Sequence, residues 1–374
     1  MVAILGGVAL AHGVQAQTQA TGDCGDCLPR SDSVAARHGP TPQRKAFYLY
    51  PVPTSEKLTG FKIMLIGAYL WRTALDGTTR PSAVFSNWAY TANHQLLISF
   101  GGDVWSPLNA RHLNFEVAYS RFPAPFYGVG PRTAQSAEEL FTPRTLALEF
   151  TAQQEVRPHT FVQLGLHLLH TSIVDQVPGG LLIGDTIAGS TGYTMVAPEI
   201  GLVFDSRDQL FSPQRGAFIE GHVRLNLPPL GGSTGFQLFL LDARVYRTVR
   251  PGSVLALQAA FEGASGTVPF EELPQLGGSG VRAYVYGRWR DRAALRGQAE
   301  WRQHVAWRFG AVAFVGAGVI GSGIGALGSV PLRTTYGAGF RFKLSTKENA
   351  NFSMDYARGQ EGASALSFGF TEAF

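Results

Sequence analysis

Two cysteines and several histidines are the residues best suited to redox chemistry or metal binding. Cys24 and Cys27 are the only cysteines in the chain. Such a pair can form a local disulfide in a secreted protein, or supply part of a zinc site. No second pair or suitably placed histidine supplies the other ligands, so we favour a minor disulfide. His167 and His170 stand three positions apart, on opposite faces of a strand, so no metal site or cofactor is predicted.

The serines and acids of the chain do not indicate an enzyme. We identify no nucleophile elbow of the Gly-x-Ser-x-Gly type and no HExxH helix. His222 cannot be combined with distant Ser and Asp residues into a catalytic triad from the sequence alone. The chain is therefore expected to have no catalytic residues.

Arg282 and Glu300 are charged residues of opposite sign that lie in distinctive sequence surroundings. Glu300 shares one face of an alternating segment with Arg296, Arg302 and His304, and a carboxylate that lines a membrane-embedded cavity requires positive partners. Arg282 lies in a glycine-flanked loop just before an aromatic and basic run. Two plainer interpretations stay open, a solvated loop arginine and a cross-strand pair between Glu300 and an unrelated neighbour.

Charged and turn-forming residues also cluster around Asp205. Asp205, Arg207 and Asp208 are followed in the same stretch by Pro213 and Gly216. Short carboxylates and an arginine can tie a turn together, while proline and glycine fix its exit. The stretch is therefore predicted to be a structural turn and not a catalytic site.

Strands must position these groups. From Gly60 onward the chain consists of segments of about ten residues that alternate apolar and polar side chains, separated by Gly, Pro, Asn and Asp. We count about fifteen such segments, and bacterial single-chain barrels have an even number of strands. Arg44 to Val52 is the candidate for the missing strand, so the prediction is an all-β barrel of about sixteen strands.

A secretory signal, the length of the segments and their number favour a barrel over a soluble sandwich, whose apolar faces would meet a core. The chain is 45% hydrophobic, 11% aromatic and only 16% charged, with 45 glycines, whereas about 25% of residues are charged in a soluble domain. In a transmembrane barrel the apolar faces meet lipid and the polar faces line the lumen. The formal charge is only +4 and no basic cluster stands out, so nucleic acid is not an expected partner.

The beginning of the chain resembles a secretory signal. Val2 to Ala11 is apolar and Val14 to Ala16 has the small residues of a cleavage site, so we predict a signal peptide at residues 1–16. Residues 17–59 are predicted to be a leader or linker that includes the candidate first strand. Residues 60–374 form the predicted outer-membrane barrel.

One uncharged stretch, Phe309 to Leu332, is long enough for a membrane helix. It also contains several glycines, among them Gly316, Gly318 and Gly321. Glycine weakens helices, so we predict a strand over Phe309 to Ile320 followed by a glycine-rich loop.

Five parts of the sequence together resemble the bacterial surface antigen family, the BamA/TamA-type outer-membrane barrels. They are Phe126–Gly130, Asp205–Gly216, Leu276–Tyr284, Gln298–Arg302 and Phe374, and the similarity spans residues 60–374. The resemblance implies a transmembrane antiparallel β-barrel with one loop, near residues 265–292, inserted into the lumen.

The resemblance also implies a lumen lock, in which Arg282 meets an acid on the barrel wall. Gly316 stands where the family's strand has an acid, so Glu300 is left as the main candidate partner. The residues that match the family's loop motif are Gly277, Gly278, Val281, Ala283 and Tyr284. Ala283 replaces a glycine of the motif, and we expect a different turn and a lock that opens more readily than one with both acids.

The end of the chain resembles the family's β-signal, which the outer-membrane assembly machinery reads. The matching residues are Gly369, Phe370 and Phe374, while Glu372 stands where an apolar residue is usual. A plain lipid-facing strand would account for the same residues. The face expected to meet lipid consists of Leu366, Phe368, Phe370 and Phe374.

The family resemblance implies an accessory role in inserting or remodelling outer-membrane proteins or lipids. No segment before the barrel has room for the family's periplasmic POTRA domains, so a short barrel-only branch is expected. The expected partners are outer-membrane lipids, the assembly machinery during biogenesis and client membrane proteins. The alternatives are a passive or gated pore, with selectivity set by lumenal charges, and an adhesin that uses loops 122–142 and 171–191.

Overall fold

The computed structural model describes residues 45–56, 60–76, 78–184, 186–210, 212–345, 350–369 and 372–374. The predicted signal peptide, Cys24, Cys27 and Phe370 lie outside the described residues. The fold within them is almost entirely β-structure.

The strands of the described residues are, in chain order, β1 (Lys45–Glu56), β2 (Gly60–Trp71), β3 (Ser82–Thr91), β4 (Leu96–Trp105), β5 (Arg111–Arg121), β6 (Ala124–Phe126), β7 (Glu139–Arg157), β8 (Thr160–Gln176), β9 (Gly192–Asp205), β10 (Gly216–Asn226), β11 (Phe236–Arg250), β12 (Ser253–Gly266), β13 (Gln275–Leu276), β14 (Trp289–Arg290), β15 (Ala293–Ala306), β16 (Phe309–Gly321), β17 (Arg333–Ser345), β18 (Ala350–Gly359) and β19 (Ser364–Gly369). Short 3-10 helices lie in the connections at Pro107–Asn109, Gln135–Ala137, Pro228–Leu230, Gly278–Gly280, Ile324–Ser329 and Gln360–Gly362.

One antiparallel sheet contains all of these strands except β13 and β14, which pair with each other. Strand β6 extends β5 along the edge of β7, so the sheet has sixteen barrel strands, each paired with the next along the chain, and this prediction is confirmed. The candidate first strand, Arg44 to Val52, falls largely within β1. Strands β1 and β19 border a seam, across which the described residues form no ladder.

Connections differ in length between the two ends of the sheet. At one end, which we call the turn end, two residues suffice at Pro158–His159, Pro251–Gly252 and Trp307–Arg308. At the other, the loop end, the chain makes the long connections 177–191 and 267–292. Short turns at one end and long loops at the other are typical of outer-membrane barrels.

Side-chain exposure alternates along the strands in the sense opposite to that of a soluble protein. In β9, Ile200 and Leu202 are 58% and 60% exposed, whereas Glu199 and Asp205 are 4% and 6% exposed. In β15, Leu295 is exposed while Glu300 is fully buried. Apolar side chains that point outward are stable only against another apolar phase, so this pattern requires lipid around the sheet and places the polar side chains in the lumen.

The uncharged stretch Phe309 to Leu332 forms a strand and a loop, as its glycines predicted. Strand β16 ends at Gly321, and a short 3-10 helix follows in the connection to β17. Among the described residues, no helix combines the length and the apolar character needed to cross a membrane.

Aromatic side chains gather on the outside of the turn end. The Trp307 ring lies 5.5 Å from that of Phe309 and 6.0 Å from that of Phe342, between centroids. Trp307 is 72% exposed. Aromatic rings at the ends of a lipid-facing surface are typical of membrane interfaces, which indicates that the bilayer boundary lies near this turn.

We predict that Leu241→Arg destabilises the barrel in lipid by about 2–4 kcal/mol, because a charge near the bilayer midplane is poorly solvated. Leu241 lies near the middle of β11 and its side chain points outward, 49% exposed. The matched control is Leu230→Arg, since Leu230 is 56% exposed in the loop-end connection between β10 and β11. Urea unfolding in lipid vesicles measures both; equal losses would contradict a lipid-facing β11.

Candidate lumenal lock

The loop between β12 and β15, residues 267–292, folds back between the barrel walls as a hairpin. Its short strands pair Gln275 with Arg290 and Leu276 with Trp289. Gly277 begins the tip with φ 126°, and a Cβ there would lie 2.1 Å from the Val285 carbonyl oxygen. A residue with a side chain is therefore excluded from this position, both by the left-handed backbone and by the contact.

The tip places Arg282 against the barrel wall. Its Nη2 lies 2.7 Å from Glu300 Oε2 and donates a 3.0 Å hydrogen bond to Gln298 Oε1, and its Nη1 lies 3.0 Å from Asp355 Oδ2. The guanidinium carbon also sits 4.0 Å from the centre of the Phe314 ring. Arg282 is 8% exposed, so these charge-assisted contacts offset the loss of hydration that burial of the cation causes.

Asp355 corrects the expectation that Glu300 is the main acid left for Arg282. Asp355 lies on β18, where Asn351, Ser353 and Asp355 alternate with Phe352 and Met354. The alternation of polar and apolar residues in β18 is visible in the sequence, but the sequence does not show that Asp355 contacts Arg282. The expectation of a lock with a single acid is therefore wrong, because two carboxylates contact the guanidinium.

Two glycines of β16 allow the loop to approach the wall closely. A Cβ on Gly316 would lie 3.1 Å from the Gly280 carbonyl oxygen, and one on Gly318 would lie 2.4 Å from the Leu276 side chain. Gly316, which stands where the family has an acid, thus leaves space for the loop backbone. The glycine-rich sequence of this strand follows from the packing of the loop against it.

Val281, Ala283 and Tyr284 pack the tip into an apolar cluster with wall residues such as Val312 and Ile320. The Tyr284 hydroxyl donates to the Thr334 carbonyl oxygen at 3.1 Å and accepts from the Gln360 amide at 2.8 Å. Ala283 is not among the described residues with positive φ. The alanine is thus accommodated without backbone strain, and the expectation of a different turn at this position stays a prediction.

The wall contacts extend into a larger group, which we call the lumenal charge cluster. The cluster contains Arg282, Glu300, Arg302, Arg341, Asp355 and Glu372. Arg302 Nε lies 2.8 Å from Glu300 Oε1, and Arg341 Nη1 lies 2.5 Å from Asp355 Oδ1. Arg341 Nε lies 2.7 Å from Glu372 Oε2. Each cation faces at least one anion, so the cluster is buried without an unpaired charge.

Other parts of the same loop contact the opposite wall and the neighbouring loops. The Tyr193 hydroxyl of β9 donates a 2.6 Å hydrogen bond to Glu272 Oε1. Phe270 packs with Phe126 and Phe141 at centroid distances of 5.0 and 5.1 Å. The Gly130 amide donates to the Arg290 carbonyl oxygen at 2.8 Å. The loop is thus held from several sides and occupies the lumen.

Two buried groups of the loop favour their neutral forms. Burial raises the pKa of Tyr286 to about 12. Burial also raises the pKa of Glu271 above the ordinary range of a glutamic acid, an effect that neighbouring Glu272 increases. The shift of Glu271 favours its uncharged form in the lumen, whereas Tyr286 is neutral near pH 7 with or without its shift.

The turn motif at Asp205 links two turns at the turn end of the barrel. Arg207 donates to both Asp205 oxygens at 2.9 Å, and Arg80 Nη1, from the β2–β3 turn, lies 2.8 Å from Asp205 Oδ2. Asp208 Oδ1 accepts from the Gln214 amide at 3.0 Å. Gly216 has φ 102°, and a Cβ there would lie 2.2 Å from the Ser206 carbonyl oxygen. The predicted turn residues come together, and Arg80 is a partner that the motif did not reveal.

The last residues of the chain differ from the expected lipid-facing strand. Leu366 and Phe368 are exposed as predicted, and Gly369 ends β19. Phe374 is buried at 7% exposure, with its ring 6.4 Å from that of Tyr246. The expectation that Phe374 shares the outward face is therefore wrong, because Phe374 packs against the inward-facing Tyr246.

A second polar group lines the wall formed by β7 to β10 and was not found from the sequence. Glu199 Oε2 lies 3.0 Å from His167 Nε2, 3.6 Å from His222 Nε2 and 2.5 Å from Arg224 Nε. His170 is exposed on the other face of β8 and accordingly does not join His167.

A Gly-x-Ser-x-Gly string does occur, at Gly231–Gly235, contrary to the expectation of none. It lies in the connection between barrel strands β10 and β11, not at a strand-to-helix turn. Ser233 Oγ accepts a 2.8 Å hydrogen bond from the Thr194 amide. This contact gives the serine a role in the loop structure.

The fold and the site together define the class of protein. It is a sixteen-stranded transmembrane antiparallel barrel whose lumen holds a loop with an arginine at its tip. A family model described as the Omp85 superfamily domain matches residues 91–374. The chain therefore belongs to the Omp85 superfamily. No curated protein matches the sequence.

Solved structures with a similar fold include BamA from Haemophilus ducreyi lacking POTRA domains 1-3, with 13% identity and a TM-score of 0.57, covering 87% of this chain and 69% of that one. CdiB from Acinetobacter baumannii has 12% identity and a TM-score of 0.54, and the match covers 87% of this chain and 59% of the CdiB chain. CdiB from Escherichia coli has 13% identity and a TM-score of 0.56, covering 88% and 62%. The chain spans less than two thirds of either CdiB chain.

We predict that Arg282→Ala lowers the free energy of unfolding by about 3–5 kcal/mol, because it leaves buried carboxylates without their cation. Glu300→Ala should be similarly costly, and the double variant should lose about 0.5–3 kcal/mol less than the sum. Urea unfolding in lipid vesicles provides the measurement. Arg292→Ala, in an exposed part of the same loop, is the control and should stay within about 0.5 kcal/mol of wild type. Strict additivity would show that Arg282 and Glu300 do not interact.

We also predict that Gly277→Ala lowers the unfolding free energy by about 1–3 kcal/mol, since alanine is strained at positive φ. A protease should cut the loop more readily in this variant. Gly325→Ala is the matched control, because nothing lies within 4 Å of a Cβ at Gly325. Equal protease resistance of the two variants would argue against a tightly seated tip.

Proposed function

We propose that this barrel has an accessory role in the outer membrane, where it assists the insertion or remodelling of outer-membrane proteins or lipids. The observation that carries the proposal is the seating of loop 267–292 in the lumen. A passive pore needs an open lumen, whereas here Arg282 holds the loop to one wall and Glu272 contacts the other. A lumen filled in this way is poorly suited to the free diffusion of solutes and better suited to holding the barrel in a fixed form.

The seam between β19 and β1 offers a place where such activity could occur. Strand β19 has only 6 residues and pairs with Ser353–Arg358 of β18. Strand β1 has 12 residues and pairs with β2. A strand edge presents unpaired backbone groups that can pair with another strand. In lipid, where such groups have no water to bind, the edge favours a client strand or a locally perturbed bilayer as the partner.

The adhesin alternative receives less support from the loops. In the connections 122–138 and 177–191, Phe126 and Leu182 are buried and pack with Phe270 of the lumenal loop. These side chains therefore stabilise the closed lumen and do not form a free binding surface. A non-catalytic role in the membrane remains the proposal.

Reconstitution tests the proposal. We expect liposomes that contain the wild-type protein to accelerate several-fold the folding of a second, urea-denatured outer-membrane barrel, while the same protein conducts little in planar bilayers. The matched control is heat-unfolded protein in the same liposomes. Steady conductance without accelerated folding would instead identify a pore, and no effect in either assay would refute an insertion role.

A further inference from the structure

The segment Glu372–Phe374 is seated inside the lumen at the turn end. Glu372 Oε1 accepts a 2.6 Å hydrogen bond from Asn351 Nδ2, and its Oε2 lies 2.7 Å from Arg341 Nε. The Phe374 carbonyl oxygen accepts a 2.8 Å hydrogen bond from Arg302 Nη2. Both Glu372 and Phe374 are more than nine-tenths buried. The sequence departure at Glu372 therefore has a specific set of partners.

The lumenal charge cluster divides into a fixed part and two arms. The fixed part consists of wall residues on β15, β17 and β18, and these are Glu300, Arg302, Arg341 and Asp355. Its two cations and two anions cancel. One arm is Arg282, which the loop carries, and the other is Glu372, which follows β19.

The side chains of these two arms have opposite charges, so the side-chain charges of the cluster cancel when both arms are seated and also when both are withdrawn. Withdrawal of Glu372 alone leaves a surplus positive charge near Arg282. Withdrawal of Arg282 alone leaves a surplus negative charge near Glu372. An uncompensated charge in a buried site is strongly unfavourable, so each arm favours the seating of the other.

We propose that Glu372–Phe374 is a lumenal latch whose seating is coupled to the seating of the loop tip at Arg282. The proposal goes beyond the proposed function, because it concerns the barrel alone and requires no client. Through the latch, displacement of the loop at one end of the barrel loosens the segment next to β19, the strand at the seam. Displacement of the segment loosens the loop in return.

Shared wall residues provide the physical path. Arg341 contacts Glu372 through Nε and Asp355 through Nη1, while the other oxygen of Asp355 faces Arg282. Glu300 lies between Arg302 and Arg282 in the same way. The partners of Glu372 are Arg302, Arg341, Asn351 and Ser212, all outside the loop. An effect of Glu372 on the loop must therefore pass through the wall.

Hydrogen–deuterium exchange of the folded barrel in detergent tests the coupling. The probes are the loop-tip amides of Gly278, Val281 and Tyr284, which donate to backbone carbonyls within the tip. We expect Glu372→Gln to speed their exchange at least ten-fold. The double variant with Arg282→Gln should exchange little faster than Arg282→Gln alone. In the reverse direction, Arg282→Gln should speed maleimide labelling of an Ala373→Cys variant at least ten-fold, because Ala373 packs partly buried beside Phe374.

Glu220→Gln is the matched control, because Glu220 is also a lumenal glutamate but pairs with His222 on the other wall, at 3.1 Å. It should leave exchange at the loop tip unchanged. Phe374→Ala is a second route, since it weakens the packing on Tyr246 without removing a charged side chain; it should speed loop exchange in the same direction. Loop exchange that stays at the wild-type rate in both Glu372→Gln and Phe374→Ala would overturn the proposal, as would equal effects of Glu372→Gln and Glu220→Gln.

Discussion

The buried guanidinium of Arg282 is the group on which the arrangement of the lumen depends. A cation at 8% exposure is stable only with anions at contact distance, and Glu300 and Asp355 provide them. The requirement fixes the tip to one patch of wall between β15 and β18. Because the tip belongs to a long hairpin, fixing it also draws Glu272 and Phe270 against the other side of the barrel. The ion pairs of Arg282 thus orient the tip, and the contacts on the other side hold the rest of the loop in the lumen.

The lipid outside and the lumen inside impose opposite demands on the same strands. Outward residues such as Leu202 and Leu241 are apolar and exposed, since lipid surrounds them. Inward residues carry the charges, but a lumen filled by a loop has little water to solvate them. The protein meets this condition by matching cations with anions in the lumenal charge cluster. Neutrality of the buried group, more than the strength of any one pair, accounts for its composition.

Glycine and acid positions in this chain compensate for each other. Gly316 and Gly318 let the loop backbone lie directly on β16, where a larger residue would hold it away. Gly316 has no carboxylate to offer Arg282, and Asp355 on β18 contacts Arg282 together with Glu300. Glu372, which is unusual for a lipid-facing terminal strand, contributes the third anion of the cluster. Departures that looked like separate losses in the sequence belong to one rearranged site.

The barrel, about sixteen strands and most of the residues that face inward were predictable from the sequence. These properties depend on a period of two along each strand and on turn residues, which are local signals. Arg282 and Glu300 could be singled out because a recognisable loop motif and an alternating strand carry them. The folded structure was needed to show that Asp355, Arg341 and Glu372 join them, that Arg80 contacts Asp205, and that Phe374 lies inside the lumen. These contacts join strands and loops that are distant along the chain, and their distances follow from strand register and barrel curvature, which no local pattern of residues encodes.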